Sequence, residues 1–196
     1  MTKAERTKQF IIEQVSPIFN KKGVAGTSLS DMTSATGLTK GAIYGNFKDK
    51  DSIAIACFQY NLRFLQKGLY KSIATNGEAH HKLTALIQFY LEYYADVAEN
   101  GGCPLMNSAI EADDAYPLLK EKVKHTMQLW EKELVGILKD SLSKGEISQH
   151  IDPVKFSRRF IASIEGGILL AKSMEDPNYF LEVMQGLQEQ LDSTLR

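Results

Sequence analysis

Two cysteines, Cys57 and Cys103, and four histidines, His80, His81, His125 and His150, are the residues of this chain that could supply a nucleophile, a general base or a soft metal ligand. Their spacing assembles none of these. The cysteines lack a CxxC spacing, His80 and His81 are neighbours that cannot serve one ligand from one helix side, and nothing in sequence joins Cys103 to a histidine. No GxSxG, HExxH, P-loop or dinucleotide fingerprint occurs. No metal and no cofactor are therefore expected, and an enzyme using Cys103 as nucleophile is a distant third reading. Pro104 suits the first turn of a helix, so Cys103 stands where a helix amino terminus could stabilise a thiolate. A redox- or electrophile-sensing regulator is thus an alternative, against the plainer reading of a buried, inert thiol.

A different chemistry is offered by TGLTKGAIYGNF, Thr36 to Phe47. Each of its two later glycines costs a helix interior about 1 kcal/mol relative to alanine, so they belong where a side chain is unwanted. At about 100° per residue, Ala42, Ile43, Asn46 and Phe47 fall on one side of a helix. Lys40, Gly41, Tyr44 and Gly45 fall on the other. A cation, a phenol and bare backbone on one exposed face suit contact with a polyanion.

The elements that must carry this face can be read from their punctuation. Ile11, Val15, Ile18 and Phe19 mark a first helix ending near Gly23, in which Pro17 should bend or break the last turn. Ser28 can cap a second helix over 29–36, with Asp31 at its positive end and Gly37 as its left-handed stop. Thr39 can cap a third helix that closes near Phe47, and Leu38 can staple onto Ile43. A long fourth helix starts by Asp49 and Asp51 and runs through Ile53, Phe58, Leu62 and Leu69. Short helix, glycine turn and capped second helix match a helix-turn-helix, whose second helix enters the DNA major groove.

Charge agrees with that placement. Residues 1–50 hold eight lysines and arginines against four acids, hence +4, and since the whole chain is −1 the remainder is −5. Beyond residue 70 the pattern is helical, over roughly 78–100, 105–112, 118–143, 153–174 and 178–195. No apolar run approaches the ~18 residues of a membrane span, and the amino terminus has no signal-peptide stretch, so a cytoplasmic protein with no membrane partner is expected.

The run from Ile11 to Ile53, with Phe19, Gly23, Thr27, Met32, Ala35, Gly37, Leu38, Lys40, Gly41, Tyr44, Phe47 and Lys50, resembles the DNA-binding domain of the tetracycline-repressor (TetR) family of bacterial regulators. The resemblance implies an all-α fold with a three-helix DNA-binding head, residues 1–48, on a helical effector-binding and dimerisation domain, residues 49–196. It also implies a homodimer formed through the last two helices, a palindromic double-stranded DNA operator and a small-molecule effector. By matching position, Thr39 and Lys40 would touch backbone or bases, and Tyr44 and Lys50 would meet phosphate. Thr27 and Ser28 would offer backbone N–H groups to a phosphate. Gly41 and Gly45 complete the face, and Lys48 is a further candidate cation. Gly45 departs from the family's usual larger polar residue, and Thr33 from a usual alanine.

For the effector the candidates are Phe64, Tyr90, Tyr93, Tyr94, Cys103, Met106, Asn107, Met127 and Trp130, an aromatic and methionine group that could equally be core. The stretch GGCPLMNSAIE, 101–111, is similar to one in a subset of the family. For the dimer interface the candidates are the stripes Phe156, Phe160, Ile164, Gly167 and Ile168, then Met184, Leu187 and Leu191. One short helix reads too few base pairs alone, whereas two heads about one DNA turn apart read a palindrome.

Overall fold

The computed structural model describes residues 1–74 and 77–195, all of them helix, turn or irregular connection. In order the helices are α1 (Lys3–Gly26), α2 (Leu29–Thr36), α3 (Lys40–Tyr44), α4 (Lys50–Ile73), α5 (Ala79–Glu99), α6 (Pro104–Ala115), α7 (Pro117–Ser143), α8 (Pro153–Met174) and α9 (Asn178–Thr194). Among the described residues no helix is long and apolar enough to cross a membrane.

Two compact units divide the chain. One comprises residues 1–65 and 100–124, the other residues 66–99 and 125–196, so the division falls inside α4 and α7. In the first unit α1 packs on α2 and α6, and α2 on α3. Ile11, Val15, Met32, Ile43, Ile53 and Cys57 form its driest part, each fully buried. Burial pushes the Cys57 thiol up to about 12, so it behaves as a small apolar side chain rather than a nucleophile.

α1 departs from expectation in one place. The backbone keeps helical dihedrals through Pro17, and the kink comes six residues later at Gly23, with φ 73° and ψ 179°. A proline removes one hydrogen bond but holds a helix-compatible φ. A left-handed φ ends the helical path outright, and only glycine adopts it without strain.

In the second unit α9 packs on α8 and α5. The stripe Phe180, Met184, Leu187 and Leu191 is buried, opposite Phe156, Phe160, Ile164 and Ile168 of α8. Gly167 is the close point of that packing, since a methyl group there would lie 3.2 Å from Val183 Cβ. Tyr94 of α5 stacks on Phe180 with 4.4 Å between ring centres, and Tyr90 of α5 lies 6.1 Å from Trp130 of α7. Each buried aliphatic or aromatic side chain of this kind contributes roughly 1.5–3 kcal/mol. Met184→Ala should therefore lower unfolding free energy by about 2–5 kcal/mol, read by urea denaturation; a loss below about 1 kcal/mol would place Met184 outside the core.

Candidate nucleic-acid interface

The helix-turn-helix is held by side chains that end and begin its short helices. Ser28 Oγ accepts from the Asp31 N–H at 3.0 Å while the Asp31 carboxylate accepts from the Ser28 N–H at 2.8 Å, a reciprocal cap for α2. Gly37 stops α2 with φ 68°, its N–H donating to the Thr33 carbonyl. Thr39 Oγ1 accepts from the Ala42 N–H at 3.2 Å to open α3. Asn46 closes the same helix by donating to the Ala42 carbonyl at 2.8 Å. Asp49 accepts from the Ser52 N–H at 2.8 Å, which fixes the start of α4 and so the position of Lys50.

α3 is shorter than expected. It ends at Tyr44, and Gly45 forms its cap with φ −74° rather than a further turn of the groove-facing side. A methyl group at Gly45 would meet the Gly41 carbonyl oxygen at 3.0 Å, a close contact that the carbonyl would have to accommodate. At Gly41 the nearest atom to such a methyl would be Thr39 Oγ1 at 4.0 Å. Among the described residues no contact requires a glycine at position 41.

Ser28, Thr39, Lys40, Gly41, Gly45 and Lys48 are exposed, and Tyr44 and Lys50 half-buried, all within the first compact unit. Thr27 is not available. It is fully buried, with its hydroxyl donating to the Gly23 carbonyl at 2.6 Å, so it secures the α1–α2 junction and presents nothing to a phosphate. Two groups escaped the sequence reading. Lys8 places its ammonium 5.0 Å from the centre of the Phe47 ring, a further exposed cation beside the recognition segment. Lys22 lies 2.7 Å from Asp31 and offsets a carboxylate that would otherwise repel a polyanion at the start of α2. No local spacing signals either pairing.

Residues 11–57 match the family described as bacterial regulatory proteins of the tetR family, and residues 79–187 match the tetracyclin repressor-like C-terminal domain. The chain belongs to the TetR family of bacterial transcriptional regulators. Among solved structures, a TetR-family regulator from Cytophaga hutchinsonii is 36% identical, with a TM-score of 0.88 over 100% of this chain and 98% of that one. Another, from Chloroflexus aurantiacus, is 29% identical with a TM-score of 0.90 over 100% and 99%. The transcriptional repressor DhaR of Mycobacterium sp. strain GP1 is 21% identical over 90% of this chain and 89% of its own. The protein is thus a DNA-binding regulator, a class apart from enzymes.

Within this TetR-family chain the remaining candidates separate. Tyr90, Tyr93, Tyr94, Met127 and Trp130 belong to the second compact unit, and Phe64, Cys103, Met106 and Asn107 to the first. Asn107 is engaged within the first unit, where its amide donates to the Asn20 carbonyl at 3.1 Å and the Gly101 carbonyl at 2.9 Å. Phe64 is 56% exposed and Cys103 only 3%. The stripes expected at a dimer interface need correcting. Phe156, Phe160, Ile164, Gly167, Ile168, Met184, Leu187 and Leu191 are buried within the chain, consumed by packing inside the second unit. Among the described residues no cluster of three His, Cys, Asp or Glu side chains could hold a metal ion.

The hydrogen bond from Lys22, joined by the Ser28 N–H and hydroxyl, holds the Asp31 carboxyl far below the usual carboxylate range. A depressed carboxyl contributes its stability above the unfolded value of about 4 and loses it as pH falls through the folded value. Asp31→Asn should lower the urea midpoint at neutral pH, and the gap to wild type should narrow as the pH falls below about 4. An equal gap at about pH 7 and about pH 2.5 would remove the charge from this account.

Proposed function

We propose that the chain is a homodimeric repressor that binds a palindromic operator through residues 1–48 and is released when a small molecule occupies the domain formed by residues 49–196. The observation that carries the DNA-facing part is the exposed run Thr39, Lys40 and Gly41 with Tyr44 beside it, on a helix whose glycine at 41 answers to no internal contact. Ser28, Gly45, Lys48 and Lys50 border it. Lys40 and Thr39 reach base edges or backbone, while Tyr44, Lys50 and the Ser28 end of α2 meet phosphate. A gel-shift assay with the DNA upstream of its own gene tests this, and no binding at low salt would sink it. Lys50→Ala should weaken binding on every sequence and reduce the salt slope by about 1; an unchanged slope would assign Lys50 elsewhere.

For the dimer, the outward faces of α8 and α9 support the reading. Leu169, Leu170, Met174 and Leu181 are 43–56% exposed, and methyl groups at Gly166 and Gly186 would meet nothing within 4 Å. Such a face buries its apolar surface when a second copy brings the same pair of helices against it. Loss of one buried leucine there costs about 1.5–3 kcal/mol. Leu170→Asp should accordingly raise the dimer dissociation constant about ten- to hundredfold, measured by sedimentation; an undiminished dimer would exclude this face.

For the effector, Tyr90 and Trp130 stack in the interior of the second unit, and the Trp130 indole N–H is buried with no acceptor among the described residues. An unpaired buried donor costs about 1–3 kcal/mol, so an effector with an apolar body and one acceptor oxygen suits that group. Binding tighter to the DNA-incompetent state lowers operator occupancy by the differential affinity. The burial of Cys103 weighs against a thiol sensor.

A further inference from the structure

The stretch 101–111 grips the end of α1. Asn107 and Glu111, one turn apart on α6, reach it on both sides of its kink. Asn107 donates to the Asn20 carbonyl before Gly23, and Glu111 accepts from the Val24 N–H at 2.6 Å and from the Ala25 N–H at 2.7 Å after it. Those two N–H groups open the last helical turn of α1, Val24–Gly26, where amides have no preceding carbonyl in reach. A carboxylate arriving from another helix takes their place as a bidentate, charge-assisted cap.

Gly23 is shaped for this cap. Its φ of 73° turns the two amides outward, and a methyl group at its Cα would lie 2.6 Å from Glu111 Oε2 and 2.7 Å from Oε1. The glycine therefore supplies both the kink and the space for the carboxylate. Its own carbonyl takes the Thr27 hydroxyl at 2.6 Å, and Ser28 follows as the cap of α2. The chain path from Glu111 to the helix-turn-helix is thus a carboxylate, two amides, one buried threonine and a cap, all within one compact unit.

We infer that Glu111 is a positioning residue for DNA binding: its carboxylate fixes the Gly23–Ser28 junction and so the aim of α2 and α3, without touching DNA. This rests on the DNA-binding reading above. Charge and geometry make opposite forecasts for it. Removing a negative charge from a protein that meets a polyanion strengthens binding by simple electrostatics. Losing the cap weakens it.

The test compares the full-length wild type with Glu111→Gln, which keeps the shape but loses the charge and one acceptor, and Glu111→Asp, which keeps the charge but falls one methylene short. On the upstream DNA fragment both variants should bind about tenfold more weakly, and the Val24 and Ala25 amides should exchange with deuterium faster than in wild type. Tighter binding by Glu111→Gln with wild-type binding by Glu111→Asp would overturn the inference in favour of plain charge. Wild-type affinity in both would overturn it too. Should either variant fail to fold, exchange in the wild type still decides, because rapid exchange of both amides means that the cap does not hold. Failure of the wild type to bind the fragment strikes the proposed operator function, whereas the exchange measurement reads the Glu111 cap by itself.

Discussion

A helix of five residues cannot sustain itself in water, because a first turn fixes several residues for one hydrogen bond and isolated helices shorter than about 12 residues are marginal. α3 is that short, and α2 has only eight residues. The DNA-facing head therefore depends on what closes each helix end. Ser28 with Asp31, Gly37, Thr39, Asn46, and Asp49 with Ser52 succeed one another within twenty-five residues, and between them sit the buried anchors Met32, Ile43 and Phe47. Order in this region is built from end contacts more than from helix length. That leaves a surface made of short side chains, three lysines, one tyrosine and bare backbone.

These end contacts are local, which is why the sequence discloses them. Ser28 and Thr39 lie at fixed offsets from the amides they bind, and Gly37 announces its left-handed dihedral by being glycine. The all-α fold and the helix-turn-helix were legible for that reason. The kink in α1 was expected at Pro17 and lies at Gly23, because dihedral geometry rather than a lost hydrogen bond decides where the helical path turns. The stripe from Phe156 to Ile168 shows how far periodicity reaches. It states that a face is buried and leaves unsaid whether a neighbouring helix or a second chain buries it. Here α8 and α9 bury it against elements of the same unit. The burial of Thr27 has a related cause, since the inward turn of its hydroxyl follows from the Gly23 carbonyl at the kink, not from its neighbours in sequence.

Electrostatics follow the same division between local and distant. The excess of positive charge over residues 1–50 is visible in composition. The arrangement that makes it usable is not. Lys22 neutralises Asp31 across nine positions, and Lys8 meets Phe47 across thirty-nine, so each cation is set by packing of α1 against the helix-turn-helix. Cations spent on offsetting a cap carboxylate do not add to the charge offered outward. The Lys22–Asp31 pair already cancels in the net +4 of this segment, so the excess is carried by the remaining cations.

Gly41 of α3 and Gly45, its cap, differ in kind. At position 45 a side chain would press on the carbonyl of Gly41, so fold and surface are tied together there and a change in one is a change in the other. At position 41 they are untied. A side chain added at Gly41 enters open space, and replacing the glycine would if anything favour the helix. A change at position 41 therefore alters what the face presents outward while leaving the scaffold as it is. Substitutions at these two positions would separate the effect of outward chemistry from that of helix closure.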